Sequence, residues 1–438
     1  MSEAAQDWEL KRIADCGELK LGRQRAPRYD LGINPRPYLR VVNVLDDRLD
    51  LRDVQTMDFT TAEVERYRLK PGDVLLTEGD LVSEHNVGRS AVYRGEIDDC
   101  CFTNTLIRFR PHCGCLSEYF HFAFCQLRSV GKFANATMAT TVFHLSVGRI
   151  TDIPVSVPPL PEQRKIARIL TTVDNLIEKT EALIAKYQSV KQGLMHDLFT
   201  RGVDEHGHLR PPYAEAPDLY KESELGWIPR EWDFRPLGQL SEVGGGVTLG
   251  RDLAGSQVVE LPYLRVANVQ DGFLDLSEIK TVAVLKSEVP RFLLQPGDML
   301  MTEGGDFDKL GRGTVWRGQI SPCLHQNHIF RVRPNTALIV SDFLAAVTAS
   351  SYGKRYFLVS SKQTTNLATI NSTQLKAFPV PLPDVEEQSR IISPLRAFER
   401  RLQNQQEYLA KLRTTKTALM QDLLTGKVRV KVNESGAM

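Results

Sequence analysis

The chain has 438 residues, of which 42% are hydrophobic and 25% charged, and its formal net charge is +1. Those fractions are ordinary for a soluble globular protein, and the near-neutral balance excludes a generally basic nucleic-acid coat, leaving polyanion binding to local patches. The length allows two to four domains, each able to bury a core of its own.

The first residues, MSEAAQDWELKRIADCG, carry no apolar signal core, and no stretch approaches the roughly 20 apolar residues of a membrane span. Seven cysteines, an odd number, point to a reducing cytoplasm. After DWELKRIADCGELKLG, the segments YLRVVNV, DVLLTEG and TLIRFRP read as short strands broken by turn signals. Pro71-Gly72-Asp73 forms a turn before the second strand, and EYFHFAFCQLRSVGK is predicted as a short helix ending at glycine. Cys100, Cys101, Cys113, Cys115 and Cys125 fall in this region with His112 and His121 nearby. A zinc site is conceivable there, but CC and CxC are not the usual C-x2-C knuckle, so buried free thiols are the reading adopted.

From Pro159 to Thr200 the pattern changes. Ile166, Val173, Thr180, Tyr187 and Leu194 fall seven apart, and Leu170, Ile177, Ile184, Lys191 and Leu198 form a second series offset by four. Two such series define a seam on one face of a helix roughly 58 Å long at about 1.5 Å per residue. Leu183 flanks the seam beside Ile184. A stripe that narrow on a rod that long requires a partner helix.

Residues 201 to 224, RGVDEHGHLRPPYAEAPDLYKESE, are polar and Pro-rich and read as a linker. Beyond it the first half returns. PYLRVVNV recurs as PYLRVANV 225 residues later, LKPGDVLLTEGD as LQPGDMLMTEGGD, and VGRSAVYRGEI as LGRGTVWRGQI. SDFLAAVTASSYGK is predicted as the second short helix ending at glycine. The second rod repeats the seam with Ile391, Phe398, Gln405, Leu412 and Leu419, and with Leu395, Leu402, Leu409, Lys416 and Leu423. Even its polar breaks coincide with those of the first, which favours two copies of one element that pair with each other. Pro394 stands inside the second pattern, and Ser393-Pro394 reads as an N-cap and first helical residue. The long helix is therefore predicted to start there, after a separate turn over Glu386 to Ile392.

Catalytic patterns are missing. Asn34-Pro35-Arg36-Pro37-Tyr38 is similar to the Asn-Pro-Pro-Tyr loop of amino-methyltransferases, but Arg36 separates the prolines and no glycine-rich S-adenosylmethionine loop precedes it. Gly244-Gly245-Gly246 lacks the P-loop frame. Asp73, Glu78 and Asp80, with Asp298, Glu303 and Asp306 in the second copy, are carboxylates in turn-rich loops, where a structural turn is favoured over a metal site. No nucleophile-base set can be assembled.

The order globe, rod, linker, globe, rod closely resembles the specificity subunit of type I restriction-modification systems over nearly the whole chain. The motifs that carry the resemblance are PLPEQRKIARIL leading into VDNLIEK, GLMHDLFT with its copy ALMQDLLTGKVRV, and APDLYKESELGWIPREW. The implied fold is α/β (α+β), with two target recognition domains of mixed sheet separated by two long antiparallel coiled-coil helices, and an internal pseudo-twofold repeat. The implied boundaries are a first recognition domain at 1–157, a central helix at 158–202, the linker and second domain at 203–380, a distal helix at 381–430 and a disordered tail at 431–438. The resemblance implies that each domain reads one half of a bipartite double-stranded DNA target. It implies also that the helices dock two methyltransferase subunits and that restriction subunits join. S-adenosylmethionine, ATP and magnesium then belong to those partners, and this chain needs no cofactor and is no enzyme. Similar but non-identical readers imply an asymmetric site, with half-sites about 34–36 Å apart. Residues recurring in both copies are candidates for DNA contact: Arg40, Asn43, Arg89, Asn104, Thr140 and Thr141, matched by Arg265, Asn268, Arg312, Asn327, Thr364 and Thr365. Arg and Asn suit bidentate contacts to guanine and adenine edges, and Thr suits phosphate or methyl contact. A second reading, a coiled-coil scaffold whose globes bind proteins, predicts partner binding insensitive to salt and no DNA footprint.

Overall fold

In the computed structural model of the chain the described residues are 8–26, 32–80, 87–134, 137–139, 143–223, 226–253, 257–305, 310–363 and 368–432. They form two units, one of residues 1–182 with 407–438 and one of residues 183–406. Thr140, Thr141, Thr364, Thr365, Asp306 and residues 433–438 of the predicted tail lie outside the described residues.

The first unit is built on a four-stranded antiparallel sheet in the order Gly17–Leu21, Leu106–Pro111, Val74–Thr77, Ser90–Val92. Its central strands are buried on both faces, with Arg108 of the second strand covered and paired with Glu18 at 2.8 Å. Val74, Leu76, Ile107 and Phe109 pack against Phe120 and Phe124 of the helix Ser117–Ser129, while Leu75 and Leu106 meet Leu39 and Phe102 on the other side. Beside it lies a mixed sheet, Pro35–Leu39 running antiparallel to Gln55–Asp58 and parallel to Cys101–Phe102. A small third sheet pairs Phe143–Leu145 with both Gly79–Asp80 and Thr137–Ala139. Glu9–Arg12 pairs with Pro154–Val157, so the start of the globe lies against its last strand.

The second unit repeats this topology strand for strand. Its four-stranded sheet runs Ser241–Gly244, Ile329–Pro334, Met299–Thr302, Gly313–Val315. Its mixed sheet is Lys280–Leu285, Val258–Leu264, Leu324–His325, its small sheet centres on Ala368–Thr369, and Asp233–Pro236 pairs with Pro379–Leu382.

The long helices span Leu160–Arg201 and Val385–Leu424. Every seam position from Ile166 to Leu198 and from Ile391 to Leu423 is buried or half-buried. In the first unit Ile166 and Leu170 share a core with Leu419, Met420 and Leu423, and in the second Leu194 and Leu198 share one with Ile391 and Leu395. In both units the start of one helix therefore packs against the end of the other, which makes the pair antiparallel. Within the second unit Tyr187 and Phe398 meet edge to face at 5.4 Å. Three of the four polar breaks are explained. Thr180 donates to the Leu176 carbonyl at 2.7 Å, Lys191 pairs with Glu399 at 2.7 Å, and Lys416 pairs with Asp174 at 2.7 Å.

Four local expectations are corrected. The second helix does not begin at Pro394; it runs continuously from Val385 through it. Ile391, Ile392 and Leu395 are buried in the core of the second unit while Pro394 is exposed, so packing carries the helix across the proline. The strand predicted over YLRVVNV stops at Leu39, and Val41–Asn43 form a 3-10 turn. SDFLAAVTASSYGK is not one helix ending at glycine but two, Ser341–Ala349 and Ser351–Ser360, broken at Ser350. Gly353 lies inside the second because a Cβ there would stand 2.3 Å from the Thr348 carbonyl oxygen. Finally, much of the segment read as a linker is folded. Tyr220–Ser223 pairs with Gly226–Pro229, and Tyr213 stacks on Trp227 at 4.0 Å.

Candidate nucleic-acid interface

The recurring arginine and asparagine candidates gather at one end of each four-stranded sheet. The Arg89 backbone bonds to both the N–H and the Oγ1 of Thr77, the last residue of its neighbouring strand. Glu78 N–H donates to the Thr105 carbonyl at 2.9 Å, and Val41 N–H donates to Thr105 Oγ1 at 3.1 Å. Arg40, Asn43, Arg89 and Asn104 are thus gathered where strands Val74–Thr77, Ser90–Val92 and Leu106–Pro111 meet. In the second copy Thr302 N–H donates to the Arg312 carbonyl at 2.9 Å and Glu303 N–H to the His328 carbonyl at 3.0 Å, placing Arg312 and Asn327 on the equivalent end.

Their side chains divide into two groups. Asn43 and Asn268 are buried and fully engaged: Asn43 accepts from Arg40 N–H at 3.0 Å and donates to the carbonyls of Asp50 and Asp53. Asn268 does the same with Arg265, Asp275 and Glu278. These asparagines hold a turn, and Arg40 and Arg265 pair with the acids Asp53 and Glu278 on it. Arg89, Asn104, Arg312 and Asn327 are half-buried at the rim. Arg312 donates to Gln270 Oε1 at 3.0 Å, whereas the Arg89 Nε is buried with no partner among the described residues.

Two histidines at this end escaped the sequence reading. His144 contacts the Glu78 carboxylate at 3.0 Å and His328 that of Glu303 at 2.7 Å. The glutamates are repeat counterparts but the histidines are not, so self-comparison could not find them. Asp73 and Asp298 are turn formers rather than metal ligands. Each accepts from a backbone N–H three residues earlier, at 2.7 Å. Each also takes a bidentate arginine, Arg110 or Arg333, and that hydrogen bonding raises the guanidinium pKa.

The motif PLPEQ proves to be the clamp between globe and rod. Gln163 Oε1 accepts from Leu116 N–H at 2.8 Å while its amide donates to the carbonyls of Gly114 and Pro158. Gln388 does the same with Val340, Leu338 and Pro383. Glu162 accepts from Trp8 Nε1 at 3.3 Å and Arg429 Nε at 2.9 Å. Glu387 accepts from Trp232 Nε1 at 3.1 Å, Val203 N–H at 3.0 Å and Arg210. A glutamate at the start of one helix thus takes an arginine that follows the end of the other.

Comparison with known proteins agrees with this architecture. A model of the type I restriction modification DNA specificity domain matches residues 5–187 and again 229–413. The chain is 24% identical to a putative type I restriction enzyme MjaX specificity subunit of Methanocaldococcus jannaschii, over 98% of this chain and 96% of that protein. It is 22% identical to the EcoKI specificity subunit of Escherichia coli, over 81% of this chain and 74% of the other. The solved structure of a type I restriction-modification S subunit from M. genitalium shares the fold, with a TM-score of 0.54 at 13% identity over 95% of this chain and 96% of that one. With the family model matching both halves over most of the length, this chain belongs to the type I restriction modification DNA specificity family, and its work in such a complex is DNA sequence recognition rather than catalysis.

Proposed function

We propose that each globe reads one half of an asymmetric bipartite site, and that the end of the four-stranded sheet bearing Arg89 and Asn104, or Arg312 and Asn327, faces the duplex. The observation that carries this reading is the duplicated gathering of arginine and asparagine at an equivalent sheet end in two globes whose remaining sequences differ. Bidentate arginine and asparagine contacts are the commonest means of reading guanine and adenine. The engaged amides of Asn43 and Asn268 assign those residues to support of the contact surface. Thr140, Thr141, Thr364 and Thr365 stay in the proposal on their sequence recurrence alone. The helices set the spacing between half-sites and dock two methyltransferase subunits, restriction subunits join the complex, and it works in the cytoplasm. Globe boundaries near 1–157 and 203–380 are supported by the pairing of Glu9–Arg12 with Pro154–Val157 and of Asp233–Pro236 with Pro379–Leu382.

Exchanging the first globe for a relative's, with the join inside Pro159 to Gln163, is expected to change one half of the methylated motif and leave the other half and the spacer intact. Motif sequencing of the chimera reads the outcome, and a change in both halves overturns the modular reading. Within a globe, Arg89→Ala is expected to weaken DNA binding. A base contact shows as a loss of about 1–3 kcal/mol with relaxed specificity at one position, and a phosphate contact as a salt slope shallower by about 1. Unchanged affinity and slope in both Arg89→Ala and Arg312→Ala remove this sheet end from the interface.

A further inference from the structure

The first globe carries a cluster that DNA recognition does not use. Asp47 Oδ1 stands 3.3 Å from His121 Nε2 and 3.3 Å from Cys125 Sγ, and Cys125 Sγ stands 4.0 Å from the same His121 nitrogen. His121 and Cys125 lie one helical turn apart on Ser117–Ser129 and present their ligand atoms together. Zinc bound tetrahedrally at about 2.0–2.3 Å holds nitrogen and oxygen donors about 3.3–3.4 Å apart and a sulfur donor about 3.5–3.6 Å from either. The Asp47–His121 separation matches, and the Cys125 sulfur, slightly close to Asp47 and too far from His121, comes into range with a small turn of its side chain. We propose that Asp47, His121 and Cys125 form a zinc site of the first globe, with water from the adjoining cleft as fourth ligand.

The surroundings fit a metal. His121 is 5% exposed, and its other ring nitrogen, Nδ1, lies 2.9 Å from Ser90 Oγ, which fixes the ring. An outer-shell bond of that kind orients metal-ligating histidines. The second oxygen of Asp47 meets Lys416, which is shared with Asp174 at 2.7 Å. Two carboxylates, one thiolate, one ammonium and a divalent cation sum to a neutral cluster. A soft thiolate with an imidazole and a carboxylate favours zinc over magnesium or calcium.

The second globe supplies an internal comparison. It keeps the acid–lysine pair of the helices, Lys191 with Glu399 at 2.7 Å. Yet the positions matching Asp47, Ser90, His121 and Cys125 are Gly272, Gly313, Ala345 and Ala349. All four line the corresponding cleft there. The backbone adds a second sign. Asp47 has φ +66° where Gly272 has φ +86°. That left-handed turn favours glycine, so an aspartate there retains a strained conformation, which functional positions do. With metal bound, the loop around Asp47 is tied to Ser117–Ser129 and, through Lys416, to both long helices. Binding releases to solvent the Cys125 thiol proton and the proton that His121 Nε2 holds toward Asp47, so affinity rises with pH.

The test uses the full chain with Co²⁺ as probe. The parent is expected to take up about one equivalent that survives dialysis. The bound ion should show a sulfur-to-cobalt charge-transfer band and the visible bands of four-coordinate cobalt, and zinc should displace it. Cys113→Ser, at an exposed thiol, is expected to keep the band, and Cys125→Ser and His121→Gln to lose it. A parent that retains no metal overturns the proposal and leaves the cluster a hydrogen-bonded network. A charge-transfer band of undiminished intensity in Cys125→Ser overturns it equally. Because the parent measurement decides first, poor folding of a variant does not shield the proposal.

Discussion

His325 shows how one side chain sets a pH limit. It is fully buried, with Nδ1 donating to the Phe292 carbonyl at 3.1 Å and Nε2 without a partner among the described residues. Burial disfavours the imidazolium and pushes the pKa down to about 4, from an ordinary value of 6.5. A histidine depressed in this way contributes its full stability above pH ~6.5 and loses it as pH falls towards about 4, for a total of about 3 kcal/mol. The first globe has Phe102 in the equivalent place, also buried. His325→Phe is therefore expected to flatten the dependence of the second unit's unfolding midpoint on pH between about 4 and 6.5. An unchanged profile assigns that dependence to other groups. The cysteines separate in the same terms. Burial pushes the Cys100 and Cys101 thiols up to about 12, which makes them inert. Cys113 is exposed and Cys115 and Cys125 are half-buried, contrary to a single buried group.

At the scale of elements, the rods were the most legible part of the sequence because a seven-residue seam is a local signal. What the sequence hid was how packing overrules local preference. Ser393-Pro394 has the residues of a helix start, yet three buried apolar neighbours hold the helix straight through it. Pro394→Ala restores an N–H donor and is expected to stabilise the chain by up to about 3 kcal/mol, read from the midpoint of chemical denaturation. An unchanged or lower midpoint means that the proline's restriction of the unfolded chain matters more than the missing bond. The metal cluster was illegible for another reason. Asp47 and His121 are far apart in sequence, and only the packing of a loop on a helix brings them together. The glutamine and glutamate of PLPEQ were visible as a motif, but their bonds to residues as distant as Leu116 and Arg429 are properties of the fold.

For the molecule as a whole, duplication was read directly, because two diverged copies kept register over most of the chain. One feature of the clamp reaches further. In the second unit the arginine and tryptophan on Glu387 are Arg210 and Trp232, joined by continuous chain. In the first unit the same three-way contact is made by Arg429 and Trp8, from opposite ends of the sequence, with the Arg429 guanidinium 5.8 Å from the Trp8 ring. Trp8 also lies 3.3 Å from where a Cβ on Gly426 would stand. In the first unit the clamp is thus closed by contact alone, and the point at which the chain is open can be moved. Joining the segment after Arg429 to the one before Trp8 by a flexible peptide, and opening the chain between Ser223 and Gly226, leaves each Arg–Glu–Trp contact intact. Such a circular permutant is expected to keep the parent's methylation motif and to lose no more than about 1–2 kcal/mol of stability, since the added loop costs little entropy. If the permutant folds but specifies a different motif, covalent order contributes to recognition beyond its role in closing the clamp.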